Sequence, residues 1–361
     1  MAQRINFYKT QIDRTLLRSL TKRRDLPGLV QSLGILFFYG ATTALCLYLF
    51  LQKMWIPMIF ACYFHAMFSN FVGMEASIHE LSHKTPFKTK WLNEIFFYLF
   101  TFLSWNNPIH FRESHKRHHH LTVYKGLDKE VVVTPAPYST ADYISWFFFD
   151  WKKFKMFFVG NAACVLGKDQ PDTFSWDPLF EKDDPRRKQM FAWARYQLLG
   201  HIVLISIFAY FQLWVLIYTV SLSYCFATFL ARSCEIVQHM AVKPDVPDWR
   251  ITCHTMIFGP VMSFFYWRMN YHIEHHMFAA VPFYNLHKLH KAIAHDIPEP
   301  VRGYFKGVGK MLSLARKQRK DPSWCYIPEF PKTAVEARMH EEIVPRSAAC
   351  GTTPRRASAE G

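Results

Sequence analysis

The sequence contains eight cysteines but no Cys-x-x-Cys pair, and several of the cysteines lie inside apolar runs. A reduced cysteine in such a run behaves as a small hydrophobic residue. The cysteines therefore do not indicate a secreted fold held together by disulfide bonds. The first 27 residues are polar and basic and have no early apolar core, so we expect no cleavable signal peptide there.

Acidic residues are scarce relative to basic ones: 28 Asp and Glu stand against 43 Lys and Arg, a formal net charge of +15. The sequence has no nucleic-acid-binding motif, and most basic residues flank apolar runs, which argues against a nucleic-acid partner. A basic surface beside apolar segments is typical of a protein at the anionic-lipid side of a membrane. It would also attract an acidic redox partner.

Charge is almost absent from three long apolar runs, which cover residues 29–51, 54–77 and 192–231. The first two are each long enough to span a bilayer, and the third is roughly twice the length that one helix needs. We divide the third run at Gln212. The sequence thus predicts an all-α integral membrane protein with four transmembrane helices in two hairpins, plus interfacial helices and a histidine-rich cap.

Two hairpins return the chain twice to the side on which it began. The cap and most Lys and Arg residues lie on that side, whereas the opposite loops are very short, so the positive-inside rule makes it cytosolic. We expect a bacterial inner membrane or endoplasmic reticulum location. The predicted organisation is a basic N-terminal arm (1–28), a membrane domain (29–331) and a polar tail (332–361), with disorder from about Ala348.

Histidine is concentrated in three short stretches that follow the apolar runs. If these stretches are helical, residues three and four apart are neighbours on one face. Imidazole is the commonest side-chain ligand for iron, zinc and copper. The eight candidate ligands in these stretches are His79, His83, His115, His118, His119, His272, His275 and His276.

Eight imidazoles are too many for one ion, since a zinc site takes about four ligands. Two ions of higher coordination number, each with an open position, fit this donor set better. Two irons would satisfy that requirement, and iron can activate dioxygen whereas zinc is redox-inert. His239 follows the predicted fourth span on the same side and is a ninth candidate ligand, with Glu235 four residues before it as a weaker one.

Carboxylates near the clusters could bind the metals directly or accept a hydrogen bond from a ligand imidazole. The candidates are Glu80, Glu113, Asp128, Glu130 and Glu274. Trp105, Asn106 and Trp267 lie close to the clusters in sequence and are candidates for lining a substrate channel. Histidines outside the clusters, such as His65 inside the second span, are expected to be structural or surface residues.

The segments HELSH, HKRHH and HIEHH together resemble the three histidine boxes of the membrane fatty acid desaturase and hydroxylase superfamily, in order and in spacing. The acidic pair Asp128 and Glu130 after the second box, and the segment after the third, are also similar to that family. His239 occupies the place of the family's additional ligand after the fourth span. The resemblance covers roughly residues 29–305.

This resemblance implies a four-span membrane fold whose cytosolic cap holds a di-iron centre. It implies oxidation of a fatty acyl chain or lipid with dioxygen and two electrons, which gives a double bond in a desaturase and an alcohol in a hydroxylase. The sequence shows no appended cytochrome domain, so the electrons are expected from a separate cytochrome b5, ferredoxin or similar partner.

Three other interpretations stay open at this point. HELSH also matches the HExxH motif of zinc metalloproteases, in which the glutamate is the general base, although this leaves the other two clusters unexplained. A metal transporter or sensor would need ionisable residues deep inside its spans, and these spans have few. Within the family, a lipid, alkane or carotenoid hydroxylase or ketolase is the alternative to a desaturase.

Overall fold

The computed structural model describes residues 5–131, 138–169, 176 and 179–339, and these residues are predominantly helical. The α-helices are α1 (Arg14–Leu20), α2 (Asp25–Leu51), α3 (Trp55–Ser69), α4 (Ser77–Ser82), α5 (Lys90–Leu103), α6 (Pro108–Leu121), α7 (Thr140–Ser145), α8 (Trp151–Phe154), α9 (Gly160–Val165), α10 (Pro185–Tyr210), α11 (Trp214–Leu216), α12 (Phe229–His239), α13 (Trp249–Thr252), α14 (Pro260–Phe265), α15 (His272–Met277), α16 (Leu286–Ile293) and α17 (Tyr304–Lys320).

Shorter elements complete this part of the chain. The 3₁₀ turns are Asn70–Val72, Ser223–Cys225 and Phe283–Asn285, and the π-helical segments are Lys155–Val159 and Ile217–Leu222. Two strands, β1 (Met256–Ile257) and β2 (Val301–Arg302), pair in parallel with Met256 opposite Val301. This small sheet was not part of the all-α prediction.

Three helical segments are long and apolar enough to cross a membrane: α2, the run Trp55–Ser82 that includes α3 and α4, and α10. Their outward side chains, among them Phe37, Phe60 and Tyr210, are exposed. A soluble protein rarely leaves so many large apolar side chains in contiguous contact with water. The lipid bilayer therefore accounts for this surface.

Helix α2 ends at Leu51 and is capped by Gln52. The next residue, Lys53, adopts a left-handed backbone conformation (φ 56°), and the chain reverses there. Helix α3 then packs along α2 and returns the chain to the end at which α2 began. Helix α4, with the first histidine cluster, follows directly. The first cluster and the start of α2 therefore lie at the same end of this hairpin.

The fourth apolar segment, Trp214–Cys225, is shorter than the other three and is irregular, with α11 followed by a π-helical segment and a 3₁₀ turn. A π-helical segment breaks the regular α-helical pairing and leaves backbone groups for other partners. The Thr219 carbonyl oxygen lies 2.8 Å from the Tyr39 hydroxyl, 2.9 Å from Nε2 of His65 and 3.0 Å from Oγ of Ser223. His65 thus holds this irregular segment against α3.

A buried ion pair links α8 to the segment between α3 and α4. Nζ of Lys153 lies 2.5 Å from Oε1 of Glu75 and 2.6 Å from Oδ1 of Asn70. The Tyr224 hydroxyl donates to the other oxygen of Glu75 over 3.0 Å. Because both charged side chains are fully buried, the pair fixes α8 at one position next to the first histidine cluster.

The N-terminal segment packs on α13 and on the segment that follows α16. The ring of Phe7 stacks on Trp249 with centroids 4.6 Å apart. Tyr8 and Thr10 both donate from their hydroxyls to Asp296, over 2.8 and 2.5 Å. The predicted polar tail is described only as far as residue 339, so the disorder expected from Ala348 lies outside the described residues and stays a prediction.

Candidate metal centre

Four helices at one end of the membrane segments bring together all nine candidate histidines. The second cluster lies along α6, the third fills α15, and His239 is the last residue of α12. The first cluster spans α4, with His83 as the residue that ends it. These side chains are buried or half-buried, and they form two groups.

The first group contains five histidines whose ligand nitrogens all lie within 4.8 Å of one another; we call it the five-histidine group, and its members are His79, His83, His115, His119 and His275. Nε2 of His115 lies 2.9 Å from Nε2 of His83 and 3.1 Å from Nε2 of His119. Nε2 of His275 lies 3.2 Å from that of His119. The ε nitrogens therefore converge on one point.

The second group, the four-histidine group, contains His118, His239, His272 and His276, again with ligand nitrogens within 4.8 Å of one another. Nε2 of His272 lies 2.9 Å from Nε2 of His239 and 3.0 Å from Nε2 of His276. His239, which lies outside the three clusters of the sequence, thus belongs to this group.

Carboxylates face the opposite, Nδ1 side of two ligand candidates on α6. Nδ1 of His115 lies 2.6 Å from Oε1 of Glu130, and Nδ1 of His118 lies 2.8 Å from Oδ2 of Asp128. Asp128 is itself held by the backbone N–H of Val123, 2.9 Å away. Such partners fix the orientation of the ring, with Nε2 towards the centre.

Two other rings are oriented by hydrogen bonds at Nδ1, and a third lies close to a carboxylate. Nδ1 of His239 lies 2.7 Å from the Thr252 carbonyl oxygen, and Nδ1 of His276 lies 3.3 Å from Oγ1 of Thr122. Nδ1 of His275 lies 3.1 Å from Oε1 of Glu80. Glu80 therefore faces the outer side of a ligand imidazole, which does not suit a general base of a zinc protease acting on metal-bound water.

Seven of the candidate ligand histidines outside the membrane segments have a pKa lowered by burial, whereas the pKa of His118 is raised. Burial, followed by repulsion from the neighbouring imidazoles, lowers the pKa of these residues well below its usual value: His115, His119, His239, His272 and His276. Burial lowers the pKa of His83 and His275 to about 3. Burial alone would also lower the pKa of His118, but the Asp128 carboxylate outweighs it and leaves that pKa raised.

The family model of the fatty acid desaturases matches residues 53–307, a range that contains all nine histidines. The chain belongs to the fatty acid desaturase family. A curated relative, a "Sphingolipid delta(4)-desaturase DES1-like" protein of Oryza sativa subsp. japonica, is 25% identical over 263 residues, which cover 69% of this chain and 68% of the relative. Membership implies an oxidoreductase of the desaturase or hydroxylase type that acts on lipid, and the three apolar helices agree with a membrane protein.

The two groups of this desaturase-family protein fit two metal ions. Two nitrogens that bind one ion at about 2.1 Å and at right angles to each other are about 3.0 Å apart. Five pairs of neighbouring ε nitrogens, three in the five-histidine group and two in the four-histidine group, are 2.9 to 3.2 Å apart. Neutral imidazole is the form that binds metal, and the lowered pKa values favour it in the candidate ligands outside the membrane segments other than His118. The donor set is thus compatible with the di-iron centre that the sequence predicts.

Two carboxylates proposed as metal ligands belong to neither group. Glu235 forms an ion pair with Arg232 over 2.8 Å. Glu274 accepts hydrogen bonds over 2.5 Å from Oγ1 of Thr255 and from Nδ1 of His290. The carboxylate of Glu274 therefore joins α15 to α16, a role that its position inside the third cluster did not suggest.

The residues predicted to line a substrate channel lie at the junction between the membrane helices and the centre. Nε1 of Trp105 donates to the Ser221 carbonyl oxygen over 2.7 Å, and Nδ2 of Asn106 donates to the Tyr224 hydroxyl over 3.2 Å. Trp267 is completely buried and precedes the third cluster. Contact of these three residues with substrate stays a prediction.

Proposed function

We propose that this protein is a membrane di-iron desaturase that uses dioxygen and two electrons to introduce a double bond into the aliphatic chain of a fatty acyl group or lipid. The observation that carries the proposal is the convergence of nine histidines into two groups with ligand-like spacing of their ε nitrogens. Membership of the fatty acid desaturase family supports it, and so does the wording of the rice relative's name.

The five-histidine group would hold one iron and the four-histidine group the other. Bound iron would supply the activation of dioxygen that removal of hydrogen from an unactivated C–H bond requires. The protein's own contribution is positioning. Carboxylates and carbonyls behind the rings fix the imidazoles, and the membrane helices hold a flexible chain so that one methylene lies beside the centre.

The centre is proposed to face the cytosol. The short turns at Lys53 and Gln212 lie at the opposite ends of the hairpins, whereas most basic residues lie at the same end as the histidines, which the positive-inside rule assigns to the cytosol. A bacterial inner membrane or endoplasmic reticulum location follows. A separate electron donor, such as cytochrome b5 or a ferredoxin, would deliver electrons from that side.

The experiment that tests this proposal is product analysis by mass spectrometry after incubation of the membrane-embedded protein with labelled lipid pools, dioxygen and an electron source. A desaturase removes two hydrogens from the substrate, whereas a hydroxylase or ketolase of the same superfamily adds one oxygen to it. The expected product has lost two hydrogens.

Two variants test the site itself: His118→Ala in the four-histidine group and His275→Ala in the five-histidine group. Both variants should insert into the membrane as the wild type does and yield no product. Gain of oxygen by the wild-type product would replace the desaturase with a hydroxylase, and turnover at the wild-type rate in either variant would refute the proposed site.

A further inference from the structure

Six cations from two distant parts of the chain form one cluster on the surface, which we call the basic patch: Lys22, Arg23, Arg24, Arg268, Lys288 and Lys291. All are exposed except Arg268, which is half-buried. The first three lie between α1 and α2, and the last two lie on α16. The basic patch is therefore located at the end of α2 that lies nearest to the metal centre.

Tyr284 joins the two parts of the basic patch. Its hydroxyl accepts a hydrogen bond from the backbone N–H of Arg24 over 2.7 Å. Its carbonyl oxygen lies 3.5 Å from Nη1 of Arg268. Next to it, Nδ2 of Asn285 donates to the Leu20 carbonyl oxygen over 2.7 Å. These contacts hold the cations together as one surface.

The charge of the basic patch is not neutralised within the described part of the chain, where none of its six cations forms an ion pair with a carboxylate. Some exposed or half-buried arginines elsewhere are paired, such as Arg112 with Glu94 at 3.1 Å and Arg186 with Glu113 at 2.8 Å. An unpaired cluster of this kind produces a local positive potential that attracts a negatively charged partner.

The basic patch lies directly outside the five-histidine group. The backbone N–H of Phe283, the residue before Tyr284, interacts with the Glu80 carboxylate. Oε1 of Glu80 in turn lies 3.1 Å from Nδ1 of His275. A short run of contacts thus leads from Tyr284 at the surface, through Phe283 and Glu80, to a ligand candidate of the metal centre.

Leu16 on α1 and Leu26 at the start of α2 are exposed beside Arg23 and Arg24, so this side of the basic patch borders the bilayer. The side on α16 suits a protein better than a membrane surface. A helix that lies on a bilayer presents large apolar side chains beside its cations. Between Val261 and Phe305, no large apolar side chain of the described chain is exposed. The other basic helix, α17, does have one, because Phe305 is 86% exposed.

We propose that the basic patch is the docking surface for the electron donor, an acidic one-electron carrier protein, which would deliver electrons next to the five-histidine group. This inference rests on the proposed function. Complementary charge steers such partners together and raises the association rate constant by roughly 10- to 1,000-fold at low salt.

The test compares two triple variants that change the net charge equally: R23E/K288E/K291E in the basic patch, and K306E/R316E/K320E, exposed cations of α17. The full chain is placed in nanodiscs of zwitterionic lipid and, in a parallel series, in nanodiscs of anionic lipid. Association with the soluble haem domain of cytochrome b5, and separately with a plant-type ferredoxin, is measured by surface plasmon resonance over a range of salt concentrations. Product formed in a single turnover after chemical reduction, without either protein, is measured as well.

We expect the patch variant to lose at least about tenfold in association rate constant at low salt and most of its salt dependence, while the α17 variant changes less than about twofold. Product after chemical reduction should be unchanged in both.

Three results would overturn the docking proposal. They are equal losses in the two variants, an effect seen only in nanodiscs of anionic lipid, and failure of both carriers to bind the wild type. Absence of product from the chemically reduced wild type would instead count against the proposed function, since the binding measurement does not need turnover.

Discussion

On α6, His115 and His119 are four residues apart and belong to the five-histidine group, whereas His118 belongs to the four-histidine group. On α15, His272 and His276 share the four-histidine group, and His275 points to the other. Residues four apart lie nearly above one another on a helix, and the residue between them is rotated away. Helices α6 and α15 therefore each lie between the two groups and contribute to both.

This division predicts which ion a substitution removes. His239→Ala should reduce the iron content from about two to about one per chain, because an ion that loses one of four protein ligands is held weakly. His83→Ala should likewise leave about one iron, in the four-histidine group. Iron per chain is measured by mass spectrometry of the purified protein, with exposed His295→Ala as the control that retains both ions. Loss of both ions from each variant would mean that the two groups do not bind independently.

The carboxylate behind His115 should affect metal affinity without binding the metal. Glu130→Gln is expected to weaken iron binding about 10- to 100-fold, since loss of such a partner typically has this effect. The measurement is a competition titration with a chelator. The matched control is Glu113→Gln, because Glu113 pairs with Arg117 and Arg186 instead of a histidine. Equal affinity of the Glu130 variant and the wild type would contradict the assigned role.

Eight of the nine candidate histidines could be identified from the spacing of the three clusters, since few other uses exist for so many imidazoles after apolar runs. The ninth, His239, was identified by its position after the predicted fourth span. The division of the nine into five and four could not be identified from the sequence, because it depends on how α6 and α15 are rotated relative to their neighbours. The partners Thr252 and Thr122 were also missed. A backbone carbonyl or a single hydroxyl carries no sequence signal that marks it as the partner of a distant ring.

At the scale of single elements, irregular helices carry the polar contacts of the membrane domain. The π-helical segment Ile217–Leu222 offers its Thr219 carbonyl to side chains of α2 and α3. The short helix α8 delivers Lys153 to Glu75, four residues before the first cluster. Apolar patterning predicted the long helices, but it predicted neither the interruption of the fourth segment nor this ion pair, because both depend on partners far away in sequence.

Loss of one partner of the buried pair should destabilise the protein severely. Lys153→Met leaves the Glu75 carboxylate buried without its cation, which typically costs about 3–5 kcal/mol of unfolding free energy. The double variant K153M/E75Q should recover part of that loss, because no buried charge remains. Unfolding is followed in detergent. Lys152→Met is the control, since its ammonium is largely exposed beside Asp142 and should cost at most about 1 kcal/mol. A double variant no more stable than Lys153→Met would argue against an electrostatic cause.

At the scale of the whole molecule, the two hairpin turns resemble each other. Lys53 and Gln212 both adopt left-handed backbone conformations, with φ of 56° and 57°. Each turn ends a long apolar helix, α2 or α10, and sends the chain back towards the histidines. The two reversals of the chain therefore bring all nine candidate histidines to one end of the helices, even though the fourth apolar segment is short and irregular.

Topology mapping checks this arrangement. Cysteines introduced at residues 53 and 212 should react with a membrane-impermeant maleimide from one compartment, and cysteines introduced at residues 18 and 291 from the other. Sealed vesicles of known orientation show from which side each cysteine is labelled. The wild type gives the background labelling, because its described cysteines are buried or half-buried. Labelling of residues 53 and 291 from the same side would contradict the two-hairpin arrangement.

The order of the candidate ligands along the chain determines how late in synthesis the site can be completed. One box precedes residue 84, and another begins only at residue 272, so neither group is complete until the last of these helices leaves the ribosome and docks. Capture of the proposed irons would then be a late step of biogenesis, and it would stabilise the finished structure because only the folded protein would bind the ions tightly. Cells starved of iron should accordingly degrade a full-length, inserted apoprotein faster than iron-replete cells degrade the holoprotein.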